Sequence, residues 1–324
     1  MVKITIRFFI LFALLVSSVE AKDLTTFITS TNQYSNQLLF YRPYTHSAMI
    51  KENFSTTVAV EQSNIFQRSE NLDADFGLTT LDILLEYPIN ERVSLSLEYP
   101  LYYFSEGFLD GFLDGVHKTL GIATTREHDG HKSGEFHYNF AGEIVEEKSF
   151  YASGNPQLEV AYLLYKSDTL FLSTRVGLKL PFAKKEYGLS SDGVDIMASF
   201  ALQKNFRTFA VLLNTVVTKN APYKLEESII AKEYRYFFSV ATQFPLRSLV
   251  EYPLLKGWDF IALYSYNTSP YSATDVKYDS PSNFMQFALR KELLKSKYID
   301  LFFNQNTIPR HNEADVTFGI AYHF

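Results

Sequence analysis

The chain has 324 residues, carries a formal net charge of -6 and contains no cysteine. This balance excludes a nucleic-acid-binding protein, and the absence of cysteine excludes an exported domain held together by disulfides. Hydrophobic residues make up 46% of the chain, with 22 Tyr and 29 Phe, yet the mean hydropathy is only -0.09. Membrane strands that alternate apolar and polar side chains average out in this way, with Tyr and Phe at the two interfaces.

The first 21 residues have the pattern of a secretory signal peptide. Lys3 and Arg7 precede an apolar run that begins at residue 8, and the small-residue site 19–21 follows it. This run of about 12 residues is shorter than the roughly 20 that a spanning helix requires. We therefore predict cleavage near Ala21. No other stretch is apolar enough for a spanning helix, so membrane insertion would have to use strands.

Residues 22–52 lie between the predicted signal peptide and the first predicted barrel strand. We assign them to an N-terminal periplasmic segment, because a strand count that starts at Asn53 is already even. On sequence alone it remains open whether this segment adds a further strand or a plug.

From residue 53 to 324 the sequence predicts an all-β fold, an antiparallel transmembrane β-barrel of about 12 strands. Predicted strands meet across short periplasmic turns in three clear pairs: 73–88 with 92–104, 156–166 with 169–182, and 194–204 with 207–219. Longer connections are predicted on the extracellular side at residues 63–72, 105–155, 183–193, 220–233, 269–282 and 308–313. Two periplasmic turns, 247–257 and 294–297, are longer than the others.

Side chains in the predicted strands alternate between apolar and polar. The apolar positions are Val93, Leu95, Leu97, Tyr99, Leu101 and Tyr103 in one strand and Leu170, Leu172, Val176, Leu178 and Leu180 in another. Successive side chains point to opposite faces of a strand, so these residues are predicted to face lipid. A soluble sandwich also alternates, but an apolar outer stripe on strand after strand favours a barrel.

The same alternation sends charged residues of both signs toward the lumen. The predicted lumen-lining residues are Asp82, Glu86, Arg92, Glu98, Glu159, Arg175, Lys179, Arg235, Asp259, Arg290 and Asp300, with Asp195, Glu292 and Asp315 on the same face. They indicate either a charged permeation path or an ion-paired interior, since a barrel of about twelve strands is intermediate between a filled barrel and an open porin. Both interpretations remain open.

The connection 105–155 is too long for a simple turn. It contains a tandem Gly-Phe-Leu-Asp, and a short amphipathic helix over residues 107–120 would gather its apolar side chains on one face, although three glycines weaken it. The predicted loop-gate residues are Phe108, Phe112, Asp114, His117 and Arg126. This helix is predicted to lie across the mouth, fold inward as a constriction, or rest on the membrane interface.

The last ten residues alternate up to a terminal aromatic residue. Their ending resembles the C-terminal signal of Gram-negative outer-membrane proteins, which implies recognition by the barrel-assembly machinery through Gly319, Tyr322 and Phe324. The other expected partners are outer-membrane lipids and lipopolysaccharide, and we expect a monomer.

Three parts of the sequence resemble a known family. The first is Leu72-Asp-Ala-Asp75 leading into a strand that ends Glu86-Tyr-Pro88; the second is Glu98-Tyr-Pro100 followed by Gly107-Phe-Leu-Asp110, His117, Gly121 and Arg126; the third is residues 154–162, Lys179-Leu-Pro181, Ser190-Ser-Asp-Gly193 and Asp195. On these residues the chain resembles the Gram-negative family called domain of unknown function 3187. The resemblance implies an outer-membrane barrel and carries no established activity. The chain departs from the family pattern at Phe182-Ala183, where Thr-Gly is usual.

Two groups of side chains that could form chemical sites lie in and beside the long loop. Glu127-His-Asp-Gly-His131, with Glu135 and His137, has the ligand types of a metal site but no rigid ligand spacing. Asp73 and Asp75, with Asp129 and His131, resemble the Asp pair and Asp-His pair of the omptin proteases. Neither pattern is specific, so we predict no metal and no cofactor. We expect a narrow channel or binding protein for a small solute; a rim-located hydrolase and a plugged structural or adhesive barrel are the alternatives.

Overall fold

The computed structural model describes residues 37–69, 72–107, 111, 115, 119, 136–140, 143–207, 209–226, 229–246, 257–273, 279–294, 297–307 and 316–324. In these ranges no helix has both the length and the apolar character needed to cross a membrane.

Strands dominate the described residues. In chain order they are β1 (Ser55–Ser69), β2 (Leu72–Asn90), β3 (Val93–Ser105), β4 (His137–Phe140), β5 (Glu143–Glu146), β6 (Phe150–Ser153), β7 (Gln157–Lys166), β8 (Leu170–Lys179), β9 (Asp195–Asn205), β10 (Ala210–Lys219), β11 (Lys224–Glu226), β12 (Ile229–Ala231), β13 (Tyr234–Pro245), β14 (Trp258–Asn267), β15 (Tyr271–Ala273), β16 (Ser282–Leu294), β17 (Lys297–Asn306) and β18 (Val316–His323).

Twelve of these described strands form a closed antiparallel barrel. They are β1, β2, β3, β7, β8, β9, β10, β13, β14, β16, β17 and β18, each paired with the next along the chain. The circle closes between β1 and β18, where Thr56 donates its N–H to the Phe324 carbonyl at 2.7 Å and accepts the Phe324 N–H at 2.9 Å. The predicted barrel of about 12 strands is therefore confirmed.

The alternation of side chains sorts them into an outer and an inner set, as predicted. On β8, Val176 and Leu178 are exposed. They alternate with Arg175, Gly177 and Lys179, which are buried. The exposed fraction of Val176 is 57%. An apolar side chain exposed on the outside of a closed barrel is a lipid-facing residue in a membrane, and the polar inner face lines the lumen.

One predicted boundary is wrong. Residues 63–72 were expected to be a long connection, but β1 continues to Ser69 and β2 begins at Leu72. The polar residues that suggested a loop lie in a strand, where Ser63 and Asn64 are both buried. Ser63 contacts Thr317 across the β1–β18 pair, with the two hydroxyl oxygens 2.7 Å apart. The polar residues of this stretch therefore led to the wrong prediction of a loop.

The barrel has two different ends. At the short-turn end, β2 meets β3 through Glu91 and Arg92, and β7 meets β8 through residues 167–169. At the long-loop end, β4 and β5 extend the edge of β2, β6 pairs with β3, and β11, β12 and β15 form a separate three-stranded sheet. Of the predicted helix over residues 107–120, the structure describes Gly107, which is not helical, and Gly111, Gly115 and Thr119, whose backbones are helical. The helix therefore remains a prediction.

Candidate functional site

Residues 37–51 run through the barrel lumen, and we call this segment the plug. Every residue from Gln37 to Ala48 is buried, although none of them belongs to a strand. From the sequence, residues 22–52 are predicted to be a periplasmic segment, and it remains open whether they add a strand or a plug. For the described part of that range, the structure shows a plug inside the barrel.

The plug begins with a turn, in which Phe40 donates its N–H to the Gln37 carbonyl at 3.3 Å. Wall side chains, in place of a β ladder, are partners for its backbone. Tyr41 donates its N–H to Asp195 Oδ2 at 2.6 Å, and Arg42 donates its N–H to Gln157 Oε1 at 2.6 Å. The Leu39 carbonyl accepts a hydrogen bond from Lys179 Nζ at 2.7 Å. Since a buried backbone group without a partner is costly, these wall side chains are what allows an irregular segment to lie inside.

Arg42 anchors the middle of the plug to strands β2 and β3. Its guanidinium donates to Asp82 Oδ1 at 2.7 Å and to Glu98 Oε1 at 2.5 Å, and all three side chains are buried. Gln157 on β7 also donates to Glu98. Charge-assisted hydrogen bonds of this kind are about twice as strong as neutral ones, so Arg42 ties the plug to three neighbouring strands.

A second set of contacts surrounds Glu159 on β7. The Tyr41 hydroxyl donates to one carboxylate oxygen, and Arg175 NH1 donates to the other at 3.3 Å. His46 of the plug places its Nδ1 3.7 Å from the same oxygen as Arg175. Ser96 on β3 completes the set through a hydroxyl donor at 3.3 Å. The plug and the wall thus share one buried carboxylate.

The plug is also held at each end of the lumen by ionic contacts. Near the long-loop end, Lys179 Nζ lies 3.2 Å from Asp195 Oδ2 and 3.0 Å from Ser191 Oγ. Near the short-turn end, Lys51 forms an ion pair with Glu86. These contacts fix both the entry and the exit of the segment.

Apolar residues of the plug pack into clusters at the two ends. Leu38, Leu39 and Phe40 join an aromatic cluster at the long-loop end, and Ala48, with the partly buried Met49 and Ile50, packs near the short-turn end. The other aromatic members of the first cluster are Phe76, Tyr102, Phe104, Tyr138, Phe140 and Tyr271. Strand β4 and the long loops therefore cover one mouth of the barrel together with the plug.

A cavity of about 20 Å³ remains beside the plug, toward strands β13, β14, β16 and β17. Its lining residues are Gln37, Arg42, Pro43, Arg235, Phe237, Ser265, Asn267, Ser282, Phe284, Gln286 and Asn304. A volume of this size holds about one water molecule. The plug therefore leaves no wide path at this level.

Strands β1, β16, β17 and β18 of the wall carry an ionic cluster of their own. Arg290 on β16 makes two hydrogen bonds to Asp300 on β17, each at 2.8 Å, and His323 Nε2 lies 2.6 Å from Asp300 Oδ2. Thr57 Oγ1 contacts His323 Nδ1 at 2.9 Å. These residues connect neighbouring strands. Such an arrangement corresponds to the ion-paired interior, one of the two alternatives that the sequence left open.

The structure places ten of the eleven predicted lumen-lining residues on the inner face. These are Asp82, Glu86, Glu98, Glu159, Arg175, Lys179, Arg235, Asp259, Arg290 and Asp300, all buried apart from the partly buried Glu86. Arg92 is different, because it lies in the turn between β2 and β3 and is exposed. Ser94, two positions later in the chain, is the first residue of β3 that faces inward.

Other predicted residues fall partly outside the described ranges. The loop-gate residues Phe108, Phe112, Asp114, His117 and Arg126 lie there, as do Asp129 and His131 of the hydrolase hypothesis and the acidic and histidine run 127–131. Asp75 is buried on β2, where it pairs in register with His137 on β4. Among the residues that the structure describes, no group of three or more His, Cys, Asp or Glu side chains has a metal-binding arrangement.

The sequence left open whether residues 22–52 form a plug. A signal for it exists in the charge pattern of the wall, since Asp82, Glu86, Glu98 and Glu159 place four carboxylates on the adjacent strands β2, β3 and β7. Buried carboxylates need cationic partners. Arg42 and Lys51, both in the plug, are two of the cations that pair with them.

Comparison with known proteins agrees with the barrel. A family model described as a protein of unknown function, DUF3187, matches residues 2–324. The chain belongs to the DUF3187 family. The family resemblance found in the sequence is thereby confirmed. Among curated protein sequences, none matches this DUF3187 chain.

Solved structures are similar to this DUF3187 protein at low sequence identity. The COG4313 outer membrane channel from Pseudomonas putida F1 is 10% identical, with a TM-score of 0.57 over 85% of this chain and 97% of that one. The NanC porin is 7% identical, with a TM-score of 0.46 over 84% and 98% of the two chains. The toluene transporter TodX of P. putida is 9% identical, with a TM-score of 0.42 over 95% and 98%. The first likeness establishes a shared outer-membrane barrel fold.

Proposed function

We propose that this DUF3187 protein is a narrow outer-membrane channel for a small polar solute, closed at rest by the plug. The observation that carries the proposal is the passage of residues 37–48, all buried, through a lumen lined by polar side chains. In this proposal the long-loop end faces the outside of the cell and the short-turn end faces the periplasm. The protein reaches the membrane after export and removal of residues 1–21.

The contrast between the two faces of the wall supports a membrane location. Outward residues such as Leu158, Val160 and Val176 are exposed and apolar, and inward residues of the same strands, such as Glu159 and Arg175, are buried and charged. Outer-membrane barrels have this polarity, with lipids and lipopolysaccharide around them. Gly319, Tyr322 and Phe324 remain the proposed signal for the barrel-assembly machinery.

The size of the remaining cavity supports closure. A space of about 20 Å³ accepts one water-sized group, so a larger solute passes only when the plug moves. The plug has the means to move as a unit, because it is joined to the wall by side-chain contacts and not by a β ladder. When the plug leaves the lumen, hydrogen bonds to water replace these side-chain contacts.

A plugged structural or adhesive barrel is the competing function. The density of contacts at Arg42, Tyr41 and Lys51 favours it, because a segment tied at three levels is suited to permanent occupancy. Whether the plug leaves the lumen separates the two functions. The rim-hydrolase hypothesis gains no support from a described residue.

The proposal is tested with the mature chain, beginning at residue 22, refolded and inserted in a planar bilayer. A second protein lacks residues 22–50 and begins at Lys51. Heat-dependent gel mobility shows whether each one has formed a closed barrel. We expect brief, small currents from the full mature chain and steady, larger currents from the truncated one. Two folded barrels that are both silent would contradict the channel and favour the structural function.

A third protein lacks residues 107–120 and tests the other candidate gate. If the plug closes the lumen, this deletion leaves the brief openings of the mature chain unchanged. Steady currents from the loop deletion, with none from the plug deletion, would show that the loop and not the plug closes the channel.

A further inference from the structure

The cavity beside the plug has an unusual charge. Its lining includes two guanidinium groups, those of Arg42 and Arg235, and none of its eleven lining residues carries a carboxylate. The remaining polar lining consists of amides and hydroxyls. The Arg42 guanidinium is already paired with Asp82 and Glu98, so Arg235 supplies the positive charge that makes this space attractive to anions.

Arg235, on β13, has more donors than partners. Its side chain is 2% exposed, and NH2 donates to Gln37 Oε1 at 2.9 Å. Its Nε and NH1 have no hydrogen-bond partner. The Phe40 ring lies against the guanidinium, with its centroid 5.7 Å from Cζ, and supplies no acceptor oxygen.

The carboxylate that interacts electrostatically with Arg235 is that of Asp195, and it already has other partners. Asp195 accepts the N–H of Tyr41 and the N–H of Ala221, and it forms the ion pair with Lys179. It therefore has little capacity left for Arg235. A buried guanidinium with two unpartnered nitrogens, which carry three N–H donors, is costly, because each unsatisfied donor loses its hydration.

Other unpartnered donors line the same cavity. Arg42 NH1, Gln286 Nε2 and the Ser282 hydroxyl are buried without a hydrogen-bond partner. These donors come from the plug and from strand β16; Asn267 Oδ1, on β14, is an unpartnered acceptor of the same lining. A single acceptor of negative charge in the cavity would satisfy several of the donors through charge-assisted hydrogen bonds.

We propose that this cavity is a binding site for a small monovalent anion, with Arg235 as its main ligand. The volume of about 20 Å³ limits the ligand to a halide ion or the head of a carboxylate. The inference deepens the proposed function, on which it rests: the solute of the channel is a small anion. Arg235 lies on the wall, so it remains in the lumen as the main ligand when the plug, which carries Arg42, moves out.

The site is tested first by binding, without any need for conduction. Crystals of the folded mature chain are grown in bromide, whose anomalous scattering locates the ion. We expect a bromide peak between Arg235 and Gln286, and none at that place in Arg235→Gln crystals. A cavity that holds only water, or bromide peaks confined to exposed lysines as adventitious ions only, would overturn the proposal.

Ion selectivity supplies the second test, made from reversal potentials across a potassium chloride gradient. We expect the wild-type channel to prefer chloride, Arg235→Lys to keep that preference, and Arg235→Gln to lose it. Arg207→Gln removes the same charge from an exposed turn position and should behave as wild type. An unchanged preference in a folded Arg235→Gln barrel would refute the anion site while leaving the channel intact, whereas silent barrels of every variant would refute the channel itself.

Discussion

Arg42 of the plug and Asp82 of strand β2 form a salt bridge inside the barrel, with a nitrogen–oxygen distance of 2.7 Å. The two residues are 40 positions apart in sequence, and their side chains are 4% and 2% exposed. Their contact joins the part of the chain that occupies the lumen to the part that builds the wall. The behaviour of the lumen therefore depends on how firmly this pair holds.

Replacing Arg42 by methionine should loosen the plug. The substitution keeps a long side chain but leaves the carboxylates of Asp82 and Glu98 buried without their cation. Breaking a buried pair in this way costs about 3–5 kcal/mol. We expect a large rise in the open probability of the channel in planar bilayers.

Lys185→Met is the matched control for Arg42→Met. Lys185 pairs with Asp192 at 3.4 Å, but both side chains are more than half exposed, at 55% and 59%. Exposed pairs contribute about 0–1 kcal/mol, so this variant should gate as wild type. Equal gating in Arg42→Met and Lys185→Met would show that the buried pair does not hold the plug.

A charge on the lipid face should destabilise the barrel according to its depth. Val176 is 57% exposed within β8, and Val194 is 47% exposed just before β9, at the long-loop end. Arginine costs about 2–4 kcal/mol at the bilayer midplane and about 0–1 kcal/mol near the interface. We expect Val176→Arg to lower the unfolding free energy in lipid vesicles well below that of Val194→Arg. Equal losses would mean that the outer wall does not face a bilayer.

Gly319→Leu should impair barrel formation for a packing reason. A Cβ at Gly319 would lie 2.1 Å from the Phe302 ring, which covers the glycine from the neighbouring strand. We expect a lower yield of folded barrel on refolding into detergent, where no assembly machinery is present, and recovery when Phe302→Ala is added. A defect seen in cells but not in detergent would assign Gly319 to recognition by the machinery alone.

Export should leave a defined N-terminus. Mass spectrometry of the protein purified from outer membranes should give a chain that begins near Lys22, because the small-residue site 19–21 precedes it. A chain that retains residues 1–21 would contradict cleavage and would place an uncleaved apolar segment ahead of the plug.

The strands were predictable from sequence because their period is local. The predicted strand 169–182 and the observed β8 share the same faces, since Arg175 and Lys179 alternate with Val176 and Leu178. The predicted connection at residues 63–72 was wrong, because Ser63 and Asn64 lie in a strand although polar residues of these types are common in loops.

The plug could not be predicted in the same way, because its structure depends on partners far along the chain. Tyr41 meets Asp195 at a separation of 154 positions, and Thr45 meets Ser239 at 194. No periodic pattern in residues 37–51 reports such contacts. Glu98, Lys179 and Asp195, which carry part of the family resemblance, all contact the plug.

The central claim is that the plug must leave the lumen for the channel to conduct, and a reversible lock tests it most directly. The chain contains no cysteine, and the hydroxyl oxygens of Thr45 and Ser239 are 2.7 Å apart. A disulfide in Thr45→Cys, Ser239→Cys would join the plug to β13. The control, Ser63→Cys, Thr317→Cys, joins β1 to β18 across a similar 2.7 Å contact and leaves the plug free.

Planar-bilayer currents are recorded before and after reduction with dithiothreitol. The account predicts that the oxidised plug lock is silent and that reduction restores the brief openings, while the wall staple conducts in both states. Equal conduction by the oxidised and reduced plug lock would contradict the account, because solute would then pass beside a fixed plug.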